Sequence, residues 1–320
     1  MKYLEVIERE GRYAATLRET DDPVPKSGEV LVRVAGSGVN RADLSQIAGR
    51  YPPPPGESEI LGMEISGTRV ESGERVCALL AGGGHAELAA VPIGQMFRPP
   101  ARLDLVRAAG IPEAYLTAFL NLVQEGALRT GESLLVHAGA SGVGLAAIAV
   151  GRFLGARVAA TTRTKEKIAA LERAGADLAV DTSREDFAEV IERRWGKGEV
   201  DVVLDPVGAG TLAGDLRVLA TGGRVVFLAA MSGTAAELDI VLLMGKRARL
   251  IGSMLRSRSR QEKAEIVRRF EKEILPAFDA GRLTVPIDSI YPVEEAGAAF
   301  TRMRENRNVG KILIDWTKRG

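Results

Sequence analysis

Four small residues, Gly139, Ser141, Gly142 and Gly144, stand between the apolar run Leu134-Leu135-Val136-His137 and the helix-forming Leu145-Ala146-Ala147. A short buried strand that enters a glycine-rich turn and leaves as a helix aims backbone N–H groups at an anion. The pyrophosphate of a dinucleotide is the anion this pattern suits. Gly139 is expected to allow the tight turn and Gly144 to let the helix approach the strand, with Ala140 and Val143 completing the loop. Ser141 stands where a middle glycine is usual; it is small enough for close phosphate approach and adds a hydroxyl donor. A plain structural turn is the weaker reading, because the strand–turn–helix context is present.

The next strand selects the coenzyme. Arg157-Val158-Ala159-Ala160-Thr161 reads as that strand, and an NAD site would put Asp or Glu at its end, roughly 20 residues past the glycines. The chain instead reads Thr161-Thr162-Arg163-Thr164-Lys165-Glu166-Lys167. The planar fork of Arg163, helped by Thr162, Thr164 and Lys167, is predicted to clamp a 2′-phosphate. As a mere helix start these cations would oppose the helix dipole. NADPH is therefore expected over NADH.

Metal and nucleophile chemistry have few side chains to draw on. Cys77 is the sole cysteine, and His85 and His137 are the only histidines. An intramolecular disulfide and a cysteine-built zinc site are excluded, and no metal is expected. His137, at the strand end, is expected to be structural, and His85, after Gly82-Gly83-Gly84, to lie on a loop surface. Lys plus Arg (43) nearly cancel Asp plus Glu (42), which argues against nucleic acid or a membrane surface as partner. The N-terminus lacks a signal-peptide core, and no apolar run approaches a membrane span, so a cytoplasmic location is expected. At 320 residues and 46% hydrophobic, the chain suits one large or two modest globular domains.

The positioning elements follow from periodicity. The first hundred residues are turn-rich with strands near 29–34 and 75–80. Strands near 133–138, 157–161, 177–180, 200–205, 224–229 and 249–254 alternate with helices near 143–154, 165–174, 184–195 and 209–220. This spells successive βαβ units and a six-stranded doubly wound parallel sheet, an α/β fold. A helix from Arg260 to about Ala280, another over 293–304 and a closing strand at 309–314 do not extend that series. They are assigned back to the β-rich part. The expected domains are 1–118 plus 259–320, and 119–258 inserted between them, with a cleft between the two.

Several stretches together resemble one family: Gly36-Ser37-Gly38-Val39-Asn40-Arg41-Ala42-Asp43-Leu44, Tyr51-Pro52-Pro53-Pro54, Leu61-Gly62-Met63-Glu64-Ile65-Ser66-Gly67, Ile111-Pro112-Glu113-Ala114-Tyr115-Leu116-Thr117-Ala118-Phe119, the glycine loop, Leu255-Arg256-Ser257-Arg258 and Asn308-Val309-Gly310-Lys311. Over essentially its full length the chain resembles the zinc-independent NADPH:quinone oxidoreductases of the medium-chain dehydrogenase/reductase superfamily. The Asn-Arg-Ala-Asp and Pro-Glu-Ala-x-Leu-Thr-Ala-Phe segments are most like the tumour-suppressor-inducible branch. The resemblance implies a Rossmann nucleotide domain inserted into a GroES-like catalytic domain. It places Asn40 and Tyr51 near the nicotinamide, Thr117 along the cofactor cleft, and Ser141, Gly142 and Val143 at the pyrophosphate. It places Val207, Leu228 and Leu255 beside the adenosine or nicotinamide, and Asn308 in a tail that folds back on the cofactor. The chain departs from this pattern in a shorter 67–75 segment, in Thr182 where many relatives carry an adenine-side tyrosine, and in Arg163 where glycine is frequent. Gly62-Met63-Glu64 also lacks the ligand histidine of zinc alcohol dehydrogenases.

The chemistry expected is metal-free hydride transfer to an electron-poor acceptor, with a donor aimed at the oxygen where charge develops. Tyr51, stiffened by the prolines after it, is the candidate donor; Asn40 could bond the nicotinamide ribose or the substrate, or serve only as a turn residue. The acceptor is a small-molecule quinone, with an enone or enoyl thioester as the alternative. An NADPH-binding structural or RNA-associated role is the third reading. The basic segments 246–249 and 256–260 read as solvated loops. Arg249 to Met254, an expected edge strand, predicts a homodimer.

Overall fold

A computed structural model describes residues 1–318 of the chain. It divides into two compact units, Met1–Leu116 together with the residues from Leu255 onward, and Thr117–Met254.

The first unit begins with an antiparallel ribbon of β1 (Lys2–Arg9) and β2 (Arg12–Glu19). Its main sheet contains β3 (Glu29–Val39), β4 (Glu64–Arg69), β5 (Arg75–Leu79), β6 (Leu88–Pro92) and β7 (Met96–Phe97). β3 pairs with both β4 and β6, and alternate residues such as Val30, Val32 and Val34 point into the core.

The second unit carries β8 (Ser133–Val136), β9 (Arg157–Thr162), β10 (Leu178–Asp181), β11 (Val200–Asp205), β12 (Leu219–Phe227) and β13 (Arg249–Gly252). All are parallel, in the order β10-β9-β8-β11-β12-β13. This is the doubly wound sheet expected. β8 is buried at every residue, as a central parallel strand covered on both faces must be. The order reverses between β8 and β11, and the carboxyl ends of strands at such a switch point are where α/β sheets bind ligands.

After the second unit the chain returns to the first. β14 (Ile287–Pro292) pairs with β15 (Lys311–Asp315), which lies antiparallel to β3. Phe300, Ile312 and Ile314 join Val32, Ile65 and Val91 in one core.

Three boundaries differ from expectation for physical reasons. The helix expected at 209–220 begins only at Leu212, because Asp205 holds the N–H groups of Val207 and Gly208 and the Thr211 hydroxyl in a turn. The strand expected at 224–229 begins at Leu219, which pairs with Val200 across a register shift. The helix expected to run from Arg260 to about Ala280 ends at Glu273 and restarts at Leu275, since Pro276 has no N–H to continue the ladder.

Candidate functional site

In the second unit β8 delivers the chain to the glycine loop. His137 N–H donates to Leu204 O (3.0 Å) and Gly139 N–H to Thr161 O (2.8 Å), which ties the loop to β11 and β9. Ser141 caps the Gly142–Phe153 helix, its hydroxyl oxygen accepting Gly144 N–H at 2.9 Å. The amides of Gly142 and Val143, in the first turn, have no helical carbonyl to reach and are available to an anion.

The glycines act differently from expectation. The left-handed residue of the turn is Ala138, at φ 50°, not Gly139. Gly139 is needed for closeness: a Cβ there would come within 3.1 Å of Ala160 and 3.2 Å of Leu171. Gly144 is tighter still, since a Cβ would stand 2.5 Å from Ala138 O and 2.7 Å from Gly139 Cα. It seats the helix against the loop rather than against the strand. Ala140 is buried.

Thr162 is the last residue of β9 and Arg163 follows it, while Val207 follows the carboxyl end of β11 and Leu228 that of β12. The sheet order therefore gathers these expected residues along one edge with the loop. Arg163 is exposed and Thr162 buried; Lys167 closes the next turn, a 3-10 segment from Lys165. Asp181, level with Thr162 on β10, directs its carboxylate to Ser183 N–H (3.0 Å) and hydroxyl (2.7 Å). Val207 O accepts from Ser232 N–H and hydroxyl, both at 2.8 Å. Thr117 is buried on the Pro112–Phe119 helix, its carbonyl accepting from Asn121 Nδ2 at 2.8 Å.

His137 is fully enclosed. Its Nδ1 pairs with Thr161 Oγ1 (2.9 Å) and its Nε2 with Asp215 Oδ1 (2.8 Å).

In the first unit Asn40 belongs to a buried charge network. Its Nδ2 donates to Gly38 O (3.1 Å) and to Glu64 Oε1 (3.0 Å), and its Oδ1 accepts from Lys311 Nζ (2.7 Å). Lys311 also pairs with Glu64 Oε1, while Glu64 Oε2 accepts Glu113 N–H at 2.8 Å. Asp43, which accepts Asn40 N–H (2.7 Å) and Gly62 N–H (3.2 Å), fixes the next helix start. Both donors of the Asn40 amide are thus engaged. Asn308 is buried, with Nδ2 donating to Gly310 O at 2.9 Å, and Leu255 is half-buried.

Tyr51 is half-buried beneath Arg256, whose guanidinium carbon lies 5.0 Å from the ring centroid. Arg256 is itself buried, which corrects its reading as part of a solvated loop. Its Nε donates to Ala81 O (2.7 Å), Nη1 to Tyr51 O (2.9 Å) and Nη2 to Gln46 Oε1 (2.6 Å). These three acceptors are neutral. Burial pushes the Tyr51 phenol up, and the Arg256 charge opposes that shift.

His85 also corrects an expectation. It is wholly buried, its Nδ1 2.8 Å from Ser37 Oγ, which accepts from Trp316 Nε1 at 2.9 Å. Arg256, Glu64, Lys311 and Asp215 were missed from sequence. An arginine in a run of Arg and Ser, or an isolated Glu or Lys, carries no local mark of burial.

Among the described residues no helix is long and apolar enough to cross a membrane. Residues 142–272 match a family model described as zinc-binding dehydrogenase, and residues 26–98 one described as the alcohol dehydrogenase GroES-like domain. The chain is 31% identical over 296 residues to quinone oxidoreductase-like protein 2 of Bos taurus, covering 89% of this chain and 84% of that protein. It superimposes on the quinone oxidoreductase of Thermus thermophilus, solved also with NADPH, with a TM-score of 0.82 and 31% identity, covering 98% of this chain and all of that one. An NAD-dependent alcohol dehydrogenase matches with a TM-score of 0.84 and 26% identity over 98% of this chain and 99% of that one. The zinc that the first description implies does not fit the side chains present. Among the described residues no three His, Cys, Asp or Glu are grouped to hold a metal ion. Cys77 is enclosed with Sγ against Ala108 O, and the Glu64 carboxylate is taken by an ammonium.

Proposed function

The chain belongs to the medium-chain dehydrogenase/reductase superfamily, with quinone-oxidoreductase-like relatives, and from that premise we propose that it is an NADPH-dependent, zinc-independent quinone reductase. The observation that carries the reading is the glycine loop, where Gly144 leaves no room for a Cβ and the helix start opens toward an anion. NADPH, when bound, supplies a hydride.

The residues of the second unit do the holding. Gly142 and Val143 offer amides to the pyrophosphate, and Arg163, Thr162 and Lys167 receive the 2′-phosphate. Val207, Leu228 and Thr117 shape the walls for the rest of the coenzyme. In the first unit Asn40, Leu255 and Asn308 are assigned to the nicotinamide side. Tyr51 donates a hydrogen bond to the acceptor oxygen as negative charge grows there, and the buried cation of Arg256 over its ring favours that donation. The proton that completes reduction comes from solvent.

Coenzyme oxidation measured across quinones, enones and an enoyl thioester, with NADPH and NADH in parallel, tests the proposal. Quinones are expected to turn over fastest with NADPH. Efficient enoyl-thioester reduction with negligible quinone reduction would transfer the assignment to carbon–carbon double bonds. Arg163→Glu is expected to weaken NADPH at least tenfold relative to NADH, as loss of a charge-assisted phosphate contact should; unchanged discrimination removes that residue from the coenzyme site. Tyr51→Phe is expected to lower kcat about tenfold with little effect on KM, the signature of a contact made mainly in the transition state. A change in KM alone would make it a binding residue.

The partner reading is a second copy of the chain. Among the described residues β13 pairs only with β12, so its outer edge is open. The adjacent Ile240–Lys246 helix buries no residue and exposes Val241 (80%) and Met244 (70%). An open edge beside apolar side chains is self-complementary across a two-fold axis. Light scattering is expected to give twice the 34.1 kDa chain mass; monomer at every concentration would refute the dimer.

A further inference from the structure

Immediately before the glycine loop, His137 belongs to a buried cluster that the hydride chemistry does not use. The titratable groups facing it are Asp215, on the Leu212–Val218 helix, and Asp205, at the end of β11. β9 contributes the Thr161 hydroxyl, and the Phe187–Trp195 helix contributes Phe187, whose ring meets the imidazole edge-on at 4.7 Å. Asp205 already accepts from Val207 N–H, Gly208 N–H and the Thr211 hydroxyl. Asp215 accepts from His137 on Oδ1, but its Oδ2 is buried with no donor, and the neighbouring carboxyl is that of Asp205.

Two carboxylates and an imidazole in this arrangement are satisfied when they share a proton: a hydrogen on Asp215 Oδ2 can reach Asp205, or one on His137 can neutralise Asp215. Burial pushes the Asp215 carboxyl up to about 6, with His137 opposing and Asp205 adding to the rise. For His137 burial pulls the imidazole down, and the Asp215 charge outweighs it to leave a net rise. Both shifts have one sense: the cluster keeps a proton to higher pH than its groups would in water. With that proton its net charge is one negative unit; without it, two.

The same residues hold the loop. His137 N–H bonds Leu204 O, Gly139 N–H bonds Thr161 O, and Asp205 sets the 206–208 turn. We propose that His137, Asp215 and Asp205 are positioning residues of the phosphate-binding loop that take up a proton when the loop receives a pyrophosphate. This rests on the dinucleotide reading above. A phosphate anion arriving beside the cluster favours its less negative form, and by linkage the protonated cluster binds the dinucleotide more tightly. Affinity therefore falls as pH rises from about 6 through the raised midpoint of His137.

Calorimetric titration of the full chain with NADPH, in buffers of different ionisation enthalpy between pH 6 and 8, counts the protons. Asp215→Asn is the matched variant, because its amide N–H can face Asp205 while its oxygen still accepts from His137. The 2′-phosphate of the coenzyme titrates equally in both proteins, so the difference isolates the cluster. Wild type is expected to take up more protons than the variant and to lose about tenfold more affinity across that range, as one pKa unit of coupling gives. The imidazole resonances provide a second reading in unmodified protein, since His85 and His137 are the only histidines. The His137 midpoint is expected to rise when NADPH is added. Equal proton uptake by both proteins, or a His137 midpoint unmoved by bound NADPH, overturns the inference. Absence of any NADPH binding by wild type overturns instead the dinucleotide reading beneath it.

Discussion

Lys311→Met is expected to cost the first unit about 3–5 kcal/mol, the usual consequence of leaving one charge of a buried pair without its partner. Lys311 and Glu64 are 3% and 0% exposed, and no water-facing rearrangement is open to the carboxylate. The ammonium ties the start of β15 to the start of β4 and, through Asn40, to the end of β3. Stabilities of whole domains are of order 5–15 kcal/mol, so the single variant stands near the threshold of folding. The double variant Glu64→Gln/Lys311→Met removes both charges and is expected to recover more than half of the loss. Denaturant unfolding followed by Trp316 fluorescence reports this unit in a Trp195→Phe background, because Trp195 lies in the second unit. A single-variant loss below about 1 kcal/mol, in the range of an exposed pair, contradicts the argument.

The second large effect falls on the glycine loop. Gly144→Ala is expected to weaken NADPH binding about 100-fold or more, a loss of at least ~2.7 kcal/mol, while the second unit still folds. The added methyl meets Ala138 O at 2.5 Å and Gly139 O at 2.7 Å. These are backbone atoms of the loop itself, so the loop must move away from the helix N-terminus that would hold the phosphate. Gly139→Ala is the control. There the methyl meets only side-chain carbons of Ala160 and Leu171 at 3.1–3.2 Å, which can yield by a few tenths of an ångström. Only a few-fold loss is expected. Coenzyme fluorescence titration with far-UV circular dichroism separates the two; equal losses would mean that the loop's position is not what binding reads.

Periodicity exposed the second unit well, because each strand of a parallel sheet is a short apolar run and each is followed by a helix. The parallel, doubly wound character of the β8 to β13 sheet follows from that alternation and from the handedness of βαβ crossovers, whereas the strand order came from the structure. Boundaries were lost where a side chain overruled propensity, as Asp205 does by holding the turn ahead of Leu212. The strand–turn–helix pattern marked the loop, but not which residue takes the left-handed conformation; Ala138 does so under tertiary constraint. Polar residues were the least legible. His85 follows three glycines and reads as a loop tip, yet Ser37 and Trp316, distant in sequence, enclose it. Arg256 sits among arginines and serines, and only the arrival of the 46–51 and 81 segments makes it a buried cation. Burial of a charge is decided by partners far along the chain, and no local spacing encodes it.

The helix Ile240–Lys246 and strand β13 contain no buried residue; β13 is held by its ladder to β12 and by half-buried Leu250 against the core, and the helix by Lys246 Nζ, which donates to Arg217 O and Leu219 O. Segments with so few apolar contacts open before the rest of a fold. Amide exchange and limited proteolysis at low concentration should therefore begin between Ile240 and Gly252, well before the central strands yield. If a second chain covers this border, its protection will grow with concentration, making the survival of the sheet's last strand a gauge of association.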